Sequence, residues 1–203
     1  KTPIVFFDRA HDALNIDAVV VDDHKAAFMA TEHLINNGYK RVAHISGPLH
    51  INIFKARFLG YKDALKKHGI VYDPKLLFKG DVSISSGVQA IEKFLQLPNP
   101  PDAVFAVEDF TALGAMQELK RHHILIPGEF GVIGFANERF GEYITPSLST
   151  IDQQTVKMGE EAFSLLFKLI GNKGKKELPV HTTILDPIPV YRESSAGKIK
   201  SKR

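Results

Sequence analysis

The chain has 203 residues, with 26 lysines and arginines against 23 aspartates and glutamates, a formal net charge of +3, 44% hydrophobic residues and no cysteine. That length suits one domain or two small lobes with a sizeable core, and so small a charge is no argument for nucleic acid. The missing thiols exclude a disulfide scaffold and agree with a reducing compartment, and no apolar run approaches the roughly 20 residues needed to span a bilayer, so no membrane partner is expected.

The first residues, Lys1-Thr2-Pro3-Ile4-Val5-Phe6-Phe7-Asp8, run straight into strand-like sequence, and no signal peptide is expected there. Residues 4–7, 18–21, 42–45, 103–107 and 132–135 are continuous apolar runs rich in β-branched and aromatic side chains, the pattern of strands buried on both faces of a parallel sheet. Between them, apolar spacing predicts helices over 24–37, 54–68, 86–97, 110–122 and 156–170. Gly38, Gly69 and Gly171 stand as stops, and Ser85, Asp109 and Thr155 as N-caps of the last three helices. The alternation predicts an α/β fold with parallel sheets and right-handed crossovers. Residues 9–17 are too short and polar to hold a packed crossover helix, and 136–147 lack periodicity, as suits a crossing between lobes. Residues 194–203, with Ser194, Ser195, Gly197, Lys198, Lys200, Lys202 and Arg203, read as a frayed, flexible basic tail.

The stretch 46–65 organises the rest. A strand ends at Ser46, Gly47-Pro48 supplies turn chemistry, and Phe54, Phe58, Tyr61 and Leu65 recur at helical spacing. A loop at the carboxyl end of a strand is where open α/β sheets bind ligands. Arg57 lies one turn into the helix on a different face from that apolar row, so it is either a solvated surface arginine or a guanidinium fork aimed into a crevice. In the second case Arg57→Ala should cost ligand binding and leave stability nearly unchanged.

Other chemistry finds no motif. The nine histidines have no metal-ligand spacing, and His122-His123 sits where a helix C-terminus favours cations, so no metal is expected. Gly131-Val132-Ile133-Gly134 lacks a third spaced glycine, and neither a Walker lysine nor a Gly-x-Ser-x-Gly elbow is present. No cofactor and no catalytic role are expected.

Several runs carry a family likeness: 37–49 (Asn37-Gly38-Tyr39 through Gly47-Pro48-Leu49), Arg57-Phe58-Leu59-Gly60-Tyr61, 101–116 (Pro101-Asp102 through Leu113-Gly114-Ala115-Met116), Ile126-Pro127, Gly131 to Phe135, and 146–153. In this order they make the chain resemble the effector-binding core of the lactose-repressor (LacI/GalR) family of bacterial transcription regulators, whose fold is shared with sugar-binding periplasmic proteins. The resemblance implies a two-lobed periplasmic-binding-protein-like fold with an incomplete amino-terminal lobe. It places 1–22 and 153–185 in that lobe, 23–152 and 186–193 in the carboxyl-terminal lobe, and leaves 194–203 as the tail.

The resemblance also implies a cytoplasmic protein that senses a small-molecule effector, a sugar or related metabolite, between the lobes. Operator DNA would be bound through a headpiece lying outside this chain, and a homodimer would form, with 24–37 and 86–97 at the pairing surface. The family's effector contacts fall on Asp8, Ile51, Asn52, Ile53, Arg57, Val82, Glu108, Asp109, Ala136, Asn137 and Thr155. Asp109 could instead simply cap its helix, whereas Glu108 shows no local duty. Ala136 stands where many members carry aspartate, and Ile51, Ile53 and Val82 where relatives often show polar or aromatic contacts. A cleft that apolar leaves open a bulky, partly apolar or anionic effector beside a simple sugar. An exported solute-binding protein of the same fold is the alternative.

Overall fold

The computed structural model describes residues 2–10, 14–172 and 179–197. In chain order the elements are β1 (Val5–Phe7), β2 (Asp17–Val21), α1 (Asp23–Asn36), β3 (Val42–Ser46), α2 (Asn52–Lys67), β4 (Leu77–Lys79), α3 (Ile84–Leu95), β5 (Ala103–Ala106), α4 (Asp109–Arg121), β6 (Gly131–Ile133), β7 (Thr150–Asp152), α5 (Thr155–Gly171), β8 (Thr182–Leu185) and β9 (Ile188–Val190). They divide into two units, the first from Lys1–Asp22 and Gln153–Ile188, the second from Asp23–Asp152 and Pro189–Arg203.

In the first unit β1, β2 and β8 form a parallel sheet in that order, with Phe6 opposite Ala18 and Val20 opposite Ile184. Helix α5 packs against β1 and β2 but buries only Met158, while Phe163 and Phe167 stack on each other in solvent at 6.3 Å. Phe7 and Ile184 are exposed as well.

The second unit holds a four-stranded parallel sheet in the order β4-β3-β5-β6. The two-residue period of the strands sends alternate side chains to opposite faces, and both faces are covered. Ala43, Ile45, Val104 and Ala106 pack with Ile91, Phe94, Met116 and Leu119 of α3 and α4. His44 and Phe105 point the other way and stack with Tyr61 of α2, at 4.8 Å between His44 and Phe105 and 5.2 Å between His44 and Tyr61. Helices α1 and α2 pack on each other closely enough that a Cβ on Gly60 would meet the His24 carbonyl at 2.2 Å, so α2 needs glycine there.

The helix stops at Gly38 and Gly69 are left-handed, with φ of 95° and 68°. Tyr39 N–H donates to the Leu34 carbonyl and Ile70 N–H to the Leu65 carbonyl, which closes both helices with their last carbonyls satisfied. The third expected stop is different: Gly171 is the last residue of α5, and Asn172 is its C-cap.

The N-caps also differ from expectation. Ser83, not Ser85, caps α3, its hydroxyl accepting from Ser86 N–H at 3.1 Å. Glu108, not Asp109, caps α4. Gln154 at φ 56°, not Thr155, precedes α5 and makes no side-chain cap bond. Strands β4 and β8 were not expected, being short segments without a long apolar run. The tail differs too: Ser194 and Ser195 are fully buried in a 3-10 turn. The Ser194 hydroxyl donates to the Val132 carbonyl, and the Ser195 hydroxyl bonds to that of Ser149. The lysines and arginine of 198–203 lie outside the described residues.

Candidate functional site

Because β4, β3, β5 and β6 run parallel, their carboxyl ends share one edge, and the segment after each strand opens there. In sheet order that edge carries Val82 after β4, the start of α2 after β3, Glu108 and Asp109 after β5, and Ala136 and Asn137 after β6. Nine of the eleven expected ligand contacts therefore sit along one edge of the second unit.

Arg57 is not the solvated surface arginine that one reading of its sequence context offered. It lies on the buried face of α2 with Ile53, Phe54, Gly60, Tyr61 and Ala64, and only 5% of its side chain is exposed. Nε–H donates to Asp23 Oδ1 at 2.7 Å, Nη1–H donates to the Val107 carbonyl at 2.7 Å, and the guanidinium carbon lies 3.5 Å from the centre of the Phe135 ring. These three contacts fix the plane of the guanidinium. Nη2 makes no hydrogen bond among the described residues and is not sealed from solvent. The result is a rigid cation with one free pair of donors.

Beside it lies an apolar patch. Ile53, Phe54 and Val107 form a buried cluster with the partly buried Ile51 and Val82 packed against it. Val107 is common to both features, as its side chain sits in the patch and its carbonyl accepts from Arg57. Asn52, the first residue of α2, is exposed.

The backbone is unusual at the same places. Six described non-glycine residues have positive φ, and four of them are site candidates, Asp8, Val82, Ala136 and Asn137 at 62°, 62°, 112° and 58°; the other two are His123 and Gln154. A β-branched valine in this region is an outlier, and such strain persists only where the surroundings enforce it.

The two carboxylates after β5 have structural partners. Glu108 accepts from Phe110 N–H at 2.8 Å and Thr111 N–H at 3.1 Å, so the residue expected to have no local duty is the helix cap. Burial pushes its pKa up, against those hydrogen bonds. Asp109 is fully buried one position on; its Oδ2 accepts from Glu138 N–H at 2.8 Å and its Oδ1 from the Thr150 hydroxyl at 2.8 Å. It ties the segment after β6 to β7, and burial pushes its carboxyl up to about 7.

Ala136 N–H donates to the Ile151 carbonyl at 2.9 Å. Asn137 is held on three sides: its N–H donates to the Thr150 hydroxyl at 3.1 Å, its Nδ2 to Asp152 at 3.1 Å, and its Oδ1 accepts from Arg192 Nη2 at 3.0 Å. The remaining expected contacts belong to the first unit. Asp8 follows β1, with its N–H on the Val19 carbonyl at 3.0 Å and its carboxylate 3.9 Å from Arg9 Nε. Thr155 opens α5 and is exposed.

Sequence reasoning missed Asp23, Phe135, Thr150 and Arg192, which hold Arg57, Asp109 and Asn137 in place. Their signal was faint, because an aspartate opening a helix and a phenylalanine ending a strand have ordinary local explanations. No group of three or more candidate metal ligands occurs among the described residues.

A family model described as a periplasmic binding protein-like domain matches residues 31–195. The HTH-type transcriptional repressor CytR of Escherichia coli (strain K12) is 36% identical over 164 residues, covering 81% of this chain and 48% of that protein. The HTH-type transcriptional repressor PurR of Aliivibrio salmonicida is 30% identical over 173 residues, covering 85% and 52%. The chain thus spans about half the length of the curated relatives it matches. Among solved structures, the transcription regulator CcpA of Lactococcus lactis superimposes with a TM-score of 0.85 at 29% identity, covering 95% of this chain and 69% of that one. A LacI-family transcriptional regulator from Enterococcus faecium with bound ribose gives 0.85 at 28% identity, covering 96% and 71%. With the parallel sheets and these likenesses in agreement, the chain belongs to the periplasmic-binding-protein-like family, in the form that serves LacI/GalR transcriptional regulators as their effector-binding core.

Proposed function

We propose that this chain is the ligand-sensing and dimerisation core of a bacterial, cytoplasmic transcriptional regulator of the LacI type. A small-molecule effector, a sugar or related metabolite, binds at the carboxyl ends of the strands. Operator DNA is bound by a headpiece outside this chain, and the regulator works as a homodimer with two-fold symmetry. The first unit is part of the amino-terminal lobe and the second the carboxyl-terminal lobe. No enzymatic step is involved.

The observation that carries this reading is the state of Arg57, a rigid, nearly buried cation at the ligand edge with one unpaired nitrogen. A purely structural arginine in a core would have its donors satisfied. Around it, Ile51, Asn52, Ile53, Val82, Glu108 and Ala136 line the edge in the second unit, and Asp8 and Thr155 are the candidate contacts on the first. Asp109 and Asn137, whose polar atoms are engaged within the second unit, hold the edge in shape.

Effector binding acts on DNA only through a difference in affinity for the DNA-competent and DNA-incompetent arrangements. An exported solute-binding protein would share the fold, but the relatives' names, transcriptional repressors and regulators, do not favour it. The test is fluorescence anisotropy of the full-length protein on DNA from its own promoter region, with and without a ligand found by thermal shift. The expected result is sequence-specific binding whose affinity the ligand changes at least five-fold. Binding that no thermal-shift ligand alters would remove the sensing role.

A further inference from the structure

The last described residues are fastened to the body of the second unit at every position from Tyr191 to Ser195. Arg192 Nη1 donates to the Leu148 carbonyl at 2.8 Å, Glu193 accepts from Ser147 N–H at 2.8 Å, and Ser194 N–H donates to the Ser147 carbonyl at 2.9 Å. The two ends of the segment are held by α1. The His33 ring lies flat on that of Tyr191, with centroids 3.6 Å apart and planes 4° from parallel, and its Nε2 is 2.8 Å from the Ser195 hydroxyl. Asn37, one turn further on, donates from Nδ2 to the Ser195 carbonyl at 2.9 Å, and the same nitrogen lies 2.9 Å from Nε2 and 3.3 Å from Nδ1 of His33.

These contacts suit a neutral imidazole. The Ser195 carbonyl fixes which way the Asn37 amide points, because only its nitrogen can donate there. The Ser195 hydroxyl gives its own proton to Ser149 at 2.6 Å, so it accepts from His33 Nε2–H and leaves Nδ1 as the bare nitrogen for Asn37. An imidazolium has no bare nitrogen and turns a donor toward the donor of Asn37. We propose that residues 191–195 form an acid-released latch: neutral His33 holds it shut, and protonation of His33 lifts the 3-10 turn Glu193–Ser195 from its partners on Val132 and Ser149.

The charges nearby are engaged elsewhere. On α1, Glu32 pairs with Lys67 at 2.7 Å and His68 at 3.1 Å. On the latch itself, Arg192 bonds Asn137 and Glu142, and Glu193 bonds Ser147. On β7, Asp152 accepts from Asn137, and β6 carries no charged residue. Burial accordingly pulls the His33 pKa from 6.5 down to about 4. The latched form thus binds fewer protons than the released one, so its hold is full above pH 6.5 and weakens as pH falls toward 4. Glu193, kept below the ordinary 4.5 by its bonds from Ser147, titrates under most of that window.

Hydrogen exchange of the intact protein, read by mass spectrometry and corrected for the intrinsic pH dependence of exchange, follows the latch in peptides over 189–197 and the sheet in peptides over β5. Between pH 7.5 and 5 the protection of 189–197 is expected to fall roughly 20–30-fold while that of β5 holds. His33→Gln keeps an amide that can donate to Ser195 and accept from Asn37 but never charges, so 189–197 should stay protected with no such fall. His33→Phe keeps a ring for Tyr191 and should also lose the pH dependence, from a lower starting protection. Wild-type protection that does not change across this range, or the same fall in either variant, would overturn the latch. So would a fall that β5 shares, since that is unfolding of the whole unit. Should neither variant fold, the wild-type exchange is set beside the titration of the His33 ring by nitrogen-15 NMR. A midpoint below 6.5 with the local fall upholds the proposal, and a midpoint at or above 6.5 overturns it.

Discussion

Arg57→Ala is expected to destabilise the fold by about 3–5 kcal/mol, the cost of breaking a buried ion pair from one side. Asp23, whose side chain is only 8% exposed, loses the Nε–H that it accepts at 2.7 Å. The Val107 carbonyl loses a donor at 2.7 Å, and the Phe135 ring loses the cation stacked 3.5 Å from its centre, a further contribution of roughly 0.5–2 kcal/mol that overlaps with the first. For a chain of this size each kcal/mol lowers the melting temperature by about 2–4 °C, so a fall of roughly 6–20 °C is expected. Urea unfolding followed by far-ultraviolet circular dichroism measures the loss directly. The double substitution Asp23→Leu with Arg57→Met should recover part of it, because both charges of the pair are then removed from the interior. A loss within about 0.5 kcal/mol would mean an ordinary surface arginine and would refute the reasoning.

Asp109 should set a pH dependence. Its carboxyl titrates near 7 in the fold against 3.8 for a free aspartate, so the folded state holds the extra proton between those values and stability falls as pH rises from about 4 to 7, by up to about 4 kcal/mol. Melts of Asp109→Asn across that window should lack this slope, and an unchanged slope would contradict the assignment. His44 acts in the opposite sense: burial pulls its pKa from 6.5 to about 4, so the unfolded chain binds the extra proton and stability falls as pH drops from about 6.5 to 4, by up to about 3 kcal/mol. His44→Phe should remove that acid sensitivity. It also deletes Nε2, a buried nitrogen without a partner among the described residues, and should cost the fold less than about 1.5 kcal/mol at pH 7 despite losing the bond from Nδ1 to the Phe105 carbonyl; a larger cost would show that Nε2 has an unseen role. Ser195→Ala should cost about 0.5–1.5 kcal/mol, because it removes the buried hydrogen bond from the Ser195 hydroxyl to that of Ser149 and the contact with His33 Nε2, and a neutral result would make the buried 3-10 turn incidental.

The parallel sheet was legible because its strands are continuous apolar runs, and the gathering of the second unit's candidates on one edge was legible because parallel strands put their carboxyl ends together. Arg57 shows where reading along the chain goes wrong. The apolar row 54, 58, 61, 65 looks complete, yet the buried stripe of α2 is 53, 54, 57, 60, 61, 64, 65, with the arginine at its centre. Helical spacing contained that answer, but a charged residue at a core position is discounted until its partner is known, and Asp23 lies 34 positions away. The exchange of roles between Glu108 and Asp109 has a similar cause. Either carboxylate can cap a helix from local sequence, and the choice is made by Thr150 and Glu138, which claim Asp109 from beyond the next strand. Ser194 and Ser195 looked like tail because small polar residues beside lysines are usually solvated. Their hydroxyls instead find buried partners on Val132 and Ser149, contacts that no local pattern announces.

The central claim is that Arg57 holds the effector with the nitrogen the protein leaves unpaired. Its most direct test is the affinity of the regulator for its thermal-shift ligand, by calorimetry, in wild type and Arg57→Lys. Lysine keeps a positive charge near Asp23 but has no planar fork, so it cannot hold Asp23, Val107 and the effector at once. The account predicts binding weakened by roughly ten- to a hundredfold, about 1.5–3 kcal/mol for a charge-assisted hydrogen bond, in a variant that still unfolds cooperatively. Equal affinities in a folded variant would contradict it and leave Arg57 a structural residue.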